Sequence, residues 1–251
     1  MPCSMQITYL NHSGFAVAVR DVLLIFDDAQ GKPSEGDSIA NGYVTKELIE
    51  SYPRTIFFVS HAHADHFNPD IYRFSEIDMV YYVLGEDLPS QYKGFRMTRG
   101  DKLSLCGIDI TAYDSTDEGV SFLLKADDAT IFHAGDLNLW HWREQSTLKE
   151  IEQAEKEYEQ AIAPLLGKPI DVAFFPVDPR MGELYDAGAV HFLMNVKPKL
   201  MIPMHWWDRD DVALEFARKN RTKRSEIVAM TKRGETLTVE KDAEGEIHIQ
   251  G

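Results

Sequence analysis

Between residues 60 and 67 the chain reads Ser-His-Ala-His-Ala-Asp-His-Phe, which places His61, His63, Asp65 and His66 within six positions. Imidazole nitrogens and carboxylate oxygens are donors that suit zinc, manganese and iron. In an extended loop His61 and His63 project the same way and bite one ion. Asp65 and His66 then point to a second position nearby. One ion gives no reason for four donors so close together, whereas two ions do. A solvated polar loop rarely carries such a density of donors.

The elements that must position these residues are legible on both sides. Thr55-Ile56-Phe57-Phe58-Val59 is β-branched and aromatic and predicts a buried strand. Asn68-Pro69 can cap and start a helix. The donors therefore sit on a loop at the carboxyl end of a strand, where α/β proteins tend to place their sites. Two further apolar strands end in donors: Ile131-Phe132-His133-Ala134-Gly135-Asp136 and Met201-Ile202-Pro203-Met204-His205.

Together these segments resemble the metallo-β-lactamase superfamily, through His-x-His-x-Asp-His at 61–66, Gly-Asp at 135–136 and Pro-x-His at 203–205. Gly-Val-Ser-Phe at 119–122, His-Ala-Gly-Asp at 133–136 and Ile-Pro-Met-His at 202–205 point within it to a lactonase-like branch related to ascorbate-phosphate lactonase. The resemblance implies a four-layer αββα sandwich over a single domain, residues 1–251. It implies Asp136 as a carboxylate bridging two metals and His205 as a ligand to the second. It also implies supporting roles close to the site for Asp27, which orients a ligand histidine, and for His12; His133, a strand residue two before Gly135, is either a core histidine or a further supporting group.

One ligand of the superfamily pattern is absent. No histidine lies between His66 and His133, and at the expected point the chain reads Asp114-Ser115-Thr116-Asp117-Glu118-Gly119. Asp114 is the expected oxygen ligand in its place, a change that favours manganese or iron over zinc. The expected centre then has His61, His63 and Asp114 on one ion and Asp65, His66 and His205 on the other, with Asp136 between them. Asp65, His66 and Asp136 are expected to be catalytic as well as metal-binding. Two divalent ions lower the pKa of a shared water toward neutrality, which gives a nucleophile for a carbonyl or phosphoryl centre.

The expected reaction is hydrolysis of a small ester, lactone or phosphoester. The alternatives are hydrolysis of a small phosphodiester and a metal-binding protein without catalysis. All four tryptophans follow the later ligand motifs, Trp140 and Trp142 after Asp136, Trp206 and Trp207 after His205. With Phe67 they suggest an aromatic wall for a flat substrate. His141, Arg143 and Arg180 are candidates for holding an anionic group, and Trp140, His141, Arg180 and Trp206 are the expected substrate contacts.

The net charge of −15, from 26 basic against 41 acidic residues, argues against nucleic acid and anionic membranes as partners. No run reaches the roughly 20 apolar residues of a membrane span. Two cysteines make no disulfide scaffold, and the N-terminus shows no secretion signal, so a cytoplasmic location is expected. A small-molecule partner is expected, and a homo-oligomer stays open. Val22-Leu23-Leu24-Ile25-Phe26 predicts a strand buried on both faces. Residues 146–166 predict a helix whose apolar stripe is Leu148, Ile151, Ala154, Tyr158, Ile162 and Leu165.

Overall fold

The computed structural model describes residues 3–29, 31–142, 145–222 and 224–250. The first half carries β1 (Cys3–Asn11), β2 (Gly14–Val19), β3 (Val22–Phe26), α1 (Lys46–Glu50), β4 (Arg54–Val59), β5 (Val80–Gly85), β6 (Phe95–Met97), β7 (Lys102–Leu105), β8 (Ile108–Tyr113), β9 (Ser121–Ala126) and β10 (Ala129–His133). The second half carries α2 (Leu148–Ile162), β11 (Val172–Pro176), α3 (Ala187–Asn195), β12 (Leu200–Met204), α4 (Asp210–Asn220), β13 (Glu226–Ile227), β14 (Thr236–Lys241) and β15 (Ile247–Gln250).

The strands form two sheets, in the orders β15-β14-β1-β2-β3-β4-β5-β6 and β13-β12-β11-β10-β9-β8-β7. β3 to β6 run parallel in the first sheet, and β10 to β13 run parallel in the second. Their inner faces meet: Phe15 packs on Phe174 with ring centroids 4.2 Å apart, and Phe58 meets Phe122 at 5.4 Å. β3 is buried on both faces, as its unbroken apolar run requires. Val22, Leu24 and Phe26 enter the core between the sheets. Leu23 and Ile25 face outward onto Ile49 of α1 and onto Ile71 and Phe74. On the far side, Phe192 of α3 packs against Phe132 and Phe175 of the second sheet. The layers are helix, sheet, sheet, helix, as expected.

Local signals explain most element ends. Thr45 caps α1 by accepting from the Leu48 amide at 3.2 Å. Thr147 and Glu150 form a reciprocal capping box that starts α2. Ile151, Tyr158, Ile162 and Leu165 of the expected stripe are buried, but Leu148 in the first turn is 80% exposed. After Asn68 the chain forms a short 3₁₀ segment, Pro69–Phe74, in place of an α-helix. Among the described residues no helix is long and apolar enough to cross a membrane.

Candidate metal centre

The parallel strands of both sheets end at the same edge of the sandwich, and their carboxyl ends deliver the donors. β4 leads into His61, His63, Asp65 and His66; β10 into Asp136; β12 into His205. The turn between β1 and β2 adds His12. The donor atoms form two groups, His61–His63–Asp136 and His12–Asp65–His66–His205, and within each group they lie within 4.8 Å of one another. Asp136 joins the two groups. Its Oδ2 is 3.4 Å from His61 Nε2, and its Oδ1 is 2.9 Å from His66 Nε2 and 3.2 Å from His205 Nε2. His61 Nε2 and His63 Nδ1 are 3.0 Å apart.

This donor set fits divalent ions. His12 Nε2, His66 Nε2, His205 Nε2 and Asp136 Oδ1 are all buried, and none has an aligned hydrogen-bond partner. Buried polar atoms without partners are rare, and four aimed at one place are the arrangement that a cation satisfies.

The ligand rings are braced from behind. His66 Nδ1 donates to Asp27 Oδ2 at 2.7 Å, and Asp27 also accepts from the amide and the hydroxyl of Ser60. His205 Nδ1 donates to Asp178 Oδ2 at 3.0 Å. Such carboxylates fix tautomer and ring direction and make the metal-facing nitrogen more basic. Asp178 was not foreseen as part of the site. Its one signal is an acid just past a buried strand, the same signal that marked Asp27. Asp178→Asn is expected to weaken metal binding roughly 10- to 100-fold, measured by titration of metal-free protein, and an unchanged affinity would show that His205 needs no such brace.

His133 has a different task. Its Nε2 donates to the Ser13 carbonyl at 2.8 Å, its Nδ1 accepts from the Gly135 amide at 3.2 Å, and its ring stacks on Phe26. Burial lowers its pKa. It is a neutral tie between the two sheets behind the centre.

The histidines facing Asp136 titrate unusually. Burial works against charge on His66, but Asp136 and Asp27 outweigh it and raise the ring to about 9. His205 is raised well above the usual imidazole range, because Asp136, Asp178 and Asp65 outweigh burial. Both rings therefore hold protons at neutral pH when no metal is bound, and a metal ion must displace them. Metal uptake at pH 7 is expected to release protons, and affinity is expected to strengthen as pH rises toward about 9. The sign for stability is opposite: a pKa raised by folding stabilises fully below about 6.5 and is lost through about 9. The melting temperature of the metal-free protein should fall across that window. Calorimetry in buffers of different ionisation enthalpy checks the first expectation, and a pH-independent affinity would refute it.

Asp114 is a correction. The structure does not bring it into either group. Its carboxylate pairs with Arg99 Nη1 at 2.6 Å and is half-exposed. The argument for harder ions from a carboxylate at 114 loses its basis. Beyond Asp114 the same loop presses on the metal loop: the Val120 amide donates to the Ser60 carbonyl, and Glu118 Oε2 lies 3.5 Å from His63 Nε2.

A cavity of about 410 Å³ opens over the donors, lined by His63, Asp65, Asp136, Trp140, Trp142 and Trp207, with Thr116, Asp117 and Arg180. Trp140 is fixed by donating to the Asp136 carbonyl at 2.8 Å and lies parallel to Trp142. Arg180 is held by Asp178 and lies over Trp207, 4.7 Å from its ring centre. The expectation for Trp206 is corrected: it is buried against Tyr9, and Trp207 takes the wall position. His141 is also buried and does not line the cavity. Phe67 packs on Tyr92 and does not line the cavity. Arg143 lies outside the described residues.

Two sheets with helices outside and a histidine-aspartate centre at one edge define the metallo-β-lactamase fold. The YhfI protein of Bacillus subtilis, a metallo-β-lactamase fold protein, superposes with a TM-score of 0.60 at 13% identity, covering 94% of this chain and 99% of its own. Igni18, a metallo hydrolase of Ignicoccus hospitalis, gives a TM-score of 0.67 at 20% identity, covering 94% and 98%. In sequence the chain is similar to a UPF0173 metal-dependent hydrolase of Pyrococcus furiosus, 26% identical over 222 residues, covering 80% of this chain and 84% of the relative. No family model matches.

Proposed function

We propose that this chain is a metal-dependent hydrolase that binds two divalent ions, one in each donor group, and cleaves a small ester, lactone or phosphoester. The observation that carries the reading is the position of Asp136, within reach of histidines from both groups at the floor of the cavity. Bound divalent ions supply Lewis acidity and a water made acidic enough to deprotonate near neutral pH.

The chain's own residues do the rest. Burial raises the pKa of Asp136, but His66 and His205 outweigh it and hold the carboxyl well below the usual range, so it stays anionic. Asp65 is likewise held low by His12 and His205 against burial. Trp140, Trp142 and Trp207 form an apolar wall against which a flat substrate can stack. Arg180 at the rim suits a substrate that carries a negative charge. The likeness to the P. furiosus metal-dependent hydrolase supports the class of reaction, and the lactonase-like motifs favour lactones for the first trial.

The test is elemental analysis of protein purified without chelator, then a panel of lactones, esters and phosphodiesters. Two divalent ions per chain are expected, with turnover on at least one class that is lost on chelation and restored by the same metal. Full metal content with no turnover on any class would leave a metal-binding protein without catalysis.

A further inference from the structure

The two donor groups are unequal, and His12 makes them so. It sits at φ 49° on the tight turn between β1 and β2, in the left-handed region, which histidine enters more readily than most residues but at a cost that glycine does not bear. The turn is tied to the loop after β12 by the His205 amide, which donates to the His12 carbonyl at 3.4 Å. The ring is 4% exposed and lies 4.2 Å from the His205 ring and 4.6 Å from that of Trp207. Its Nε2 reaches within 3.3 Å of Asp65 Oδ2, has no aligned partner, and falls inside the same donor group as Asp65, His66 and His205. A backbone held in a sparsely populated conformation to aim a buried, unpartnered nitrogen at three other donors is a costly arrangement. It is explained if the nitrogen binds what they bind.

We infer that His12 is a direct ligand of the second ion, giving that position four side chains of its own, His12, Asp65, His66 and His205, besides the shared Asp136. This rests on the two-ion reading above and extends it. Among the described residues the first position has only His61, His63 and the shared Asp136. Asp114 is engaged by Arg99, and Glu118 is an exposed side chain 3.5 Å from His63. The second position is therefore filled first and holds its ion more tightly. The first, with fewer side chains of its own, would leave more room for a substrate oxygen on the side of the tryptophan-lined cavity, which His63 and Asp136 line.

The experiment is titration of metal-free wild type, His12→Gly and His12→Asn with cobalt(II), followed by visible absorption and by calorimetry. Glycine and asparagine both tolerate a positive φ, so the turn can persist. Circular dichroism of the metal-free variants checks that it does. In wild type a tight and a weaker event are expected. In both variants the tight event should weaken by more than the roughly 10- to 100-fold that losing a bracing group costs, with a changed cobalt spectrum, while the weaker event stays as it was. Millimolar imidazole should restore the tight event in His12→Gly, where the ring's space is free, and not in His12→Asn. An unchanged tight event and spectrum in folded His12→Gly would overturn the assignment and leave the two-ion reading intact. Uptake of one ion by wild type would instead overturn the two-ion reading, and His12 would still stand or fall on whether its removal weakens that one event. No uptake would overturn both.

Discussion

Asp136→Asn is expected to reduce turnover by about three orders of magnitude and to leave fewer than two ions per chain. The substitution keeps the shape and removes the charge. Among the described residues Asp136 is the one carboxylate within 3.4 Å of histidines from both donor groups. It is 4% exposed, so water cannot replace it as a counter-charge. Removing one partner from a buried charged cluster leaves the others uncompensated, which costs roughly 3–5 kcal/mol. The effect on metal content should therefore exceed that of removing a bracing group such as Asp178. Purified variant protein assayed for metal and for turnover gives the answer. Activity within tenfold of wild type would show that the two positions do not share this carboxylate.

The second large effect is structural. Gly119→Ala is expected to destabilise the fold by roughly 3 kcal/mol, from the left-handed backbone and from overpacking. Gly119 has φ +72°, and a Cβ there would stand 2.1 Å from the Ser60 carbonyl oxygen and 2.5 Å from His61 Cβ. Gly85 and Gly135 close on Ser60 from two other directions, with Cβ positions 2.3 Å from its carbonyl oxygen and 2.8 Å from its Cβ. Three glycines thus wedge the residue that begins the metal loop, and neither contact at Gly119 is the far end of a flexible side chain. A lower melting temperature by roughly 6–12 °C is expected for a chain of this size. Metal affinity should fall with it, because His61 must move. A variant with an unaltered melting temperature would mean that the 114–119 loop does not press on Ser60 in solution.

The strands and most donors were legible because their signals are local. β3 is an unbroken apolar pentapeptide, the metal loop follows a β-branched run, and Asp136 and His205 each end an apolar strand. What was not legible depends on contacts across the sheets or on backbone that leaves the regular period. The choice between Trp206 and Trp207 turns on parity after β12, and His205 and Trp207 take φ values of 64° and 57°. Strand alternation ends there, so the inward tryptophan cannot be counted from the strand. His12, Asp27 and Trp142 also have positive φ, 49°, 40° and 33°. Strained residues of this kind gather at functional sites, and side-chain type alone does not announce them. Asp114 falls outside both donor groups and pairs instead with Arg99, fifteen residues away, a partner that the local sequence does not announce. Asp178 went unread because an acid past a buried strand has no partner in sequence until the opposing histidine is placed.

The most direct measurement is anomalous diffraction at the absorption edge of the resident metal, on crystals of protein never exposed to chelator. Two peaks about 3.5–4 Å apart are expected, one among His61, His63 and Asp136, the other among Asp65, His66, His205 and Asp136. A single peak, or peaks that leave Asp136 out of reach, would contradict a pair of ions sharing one carboxylate.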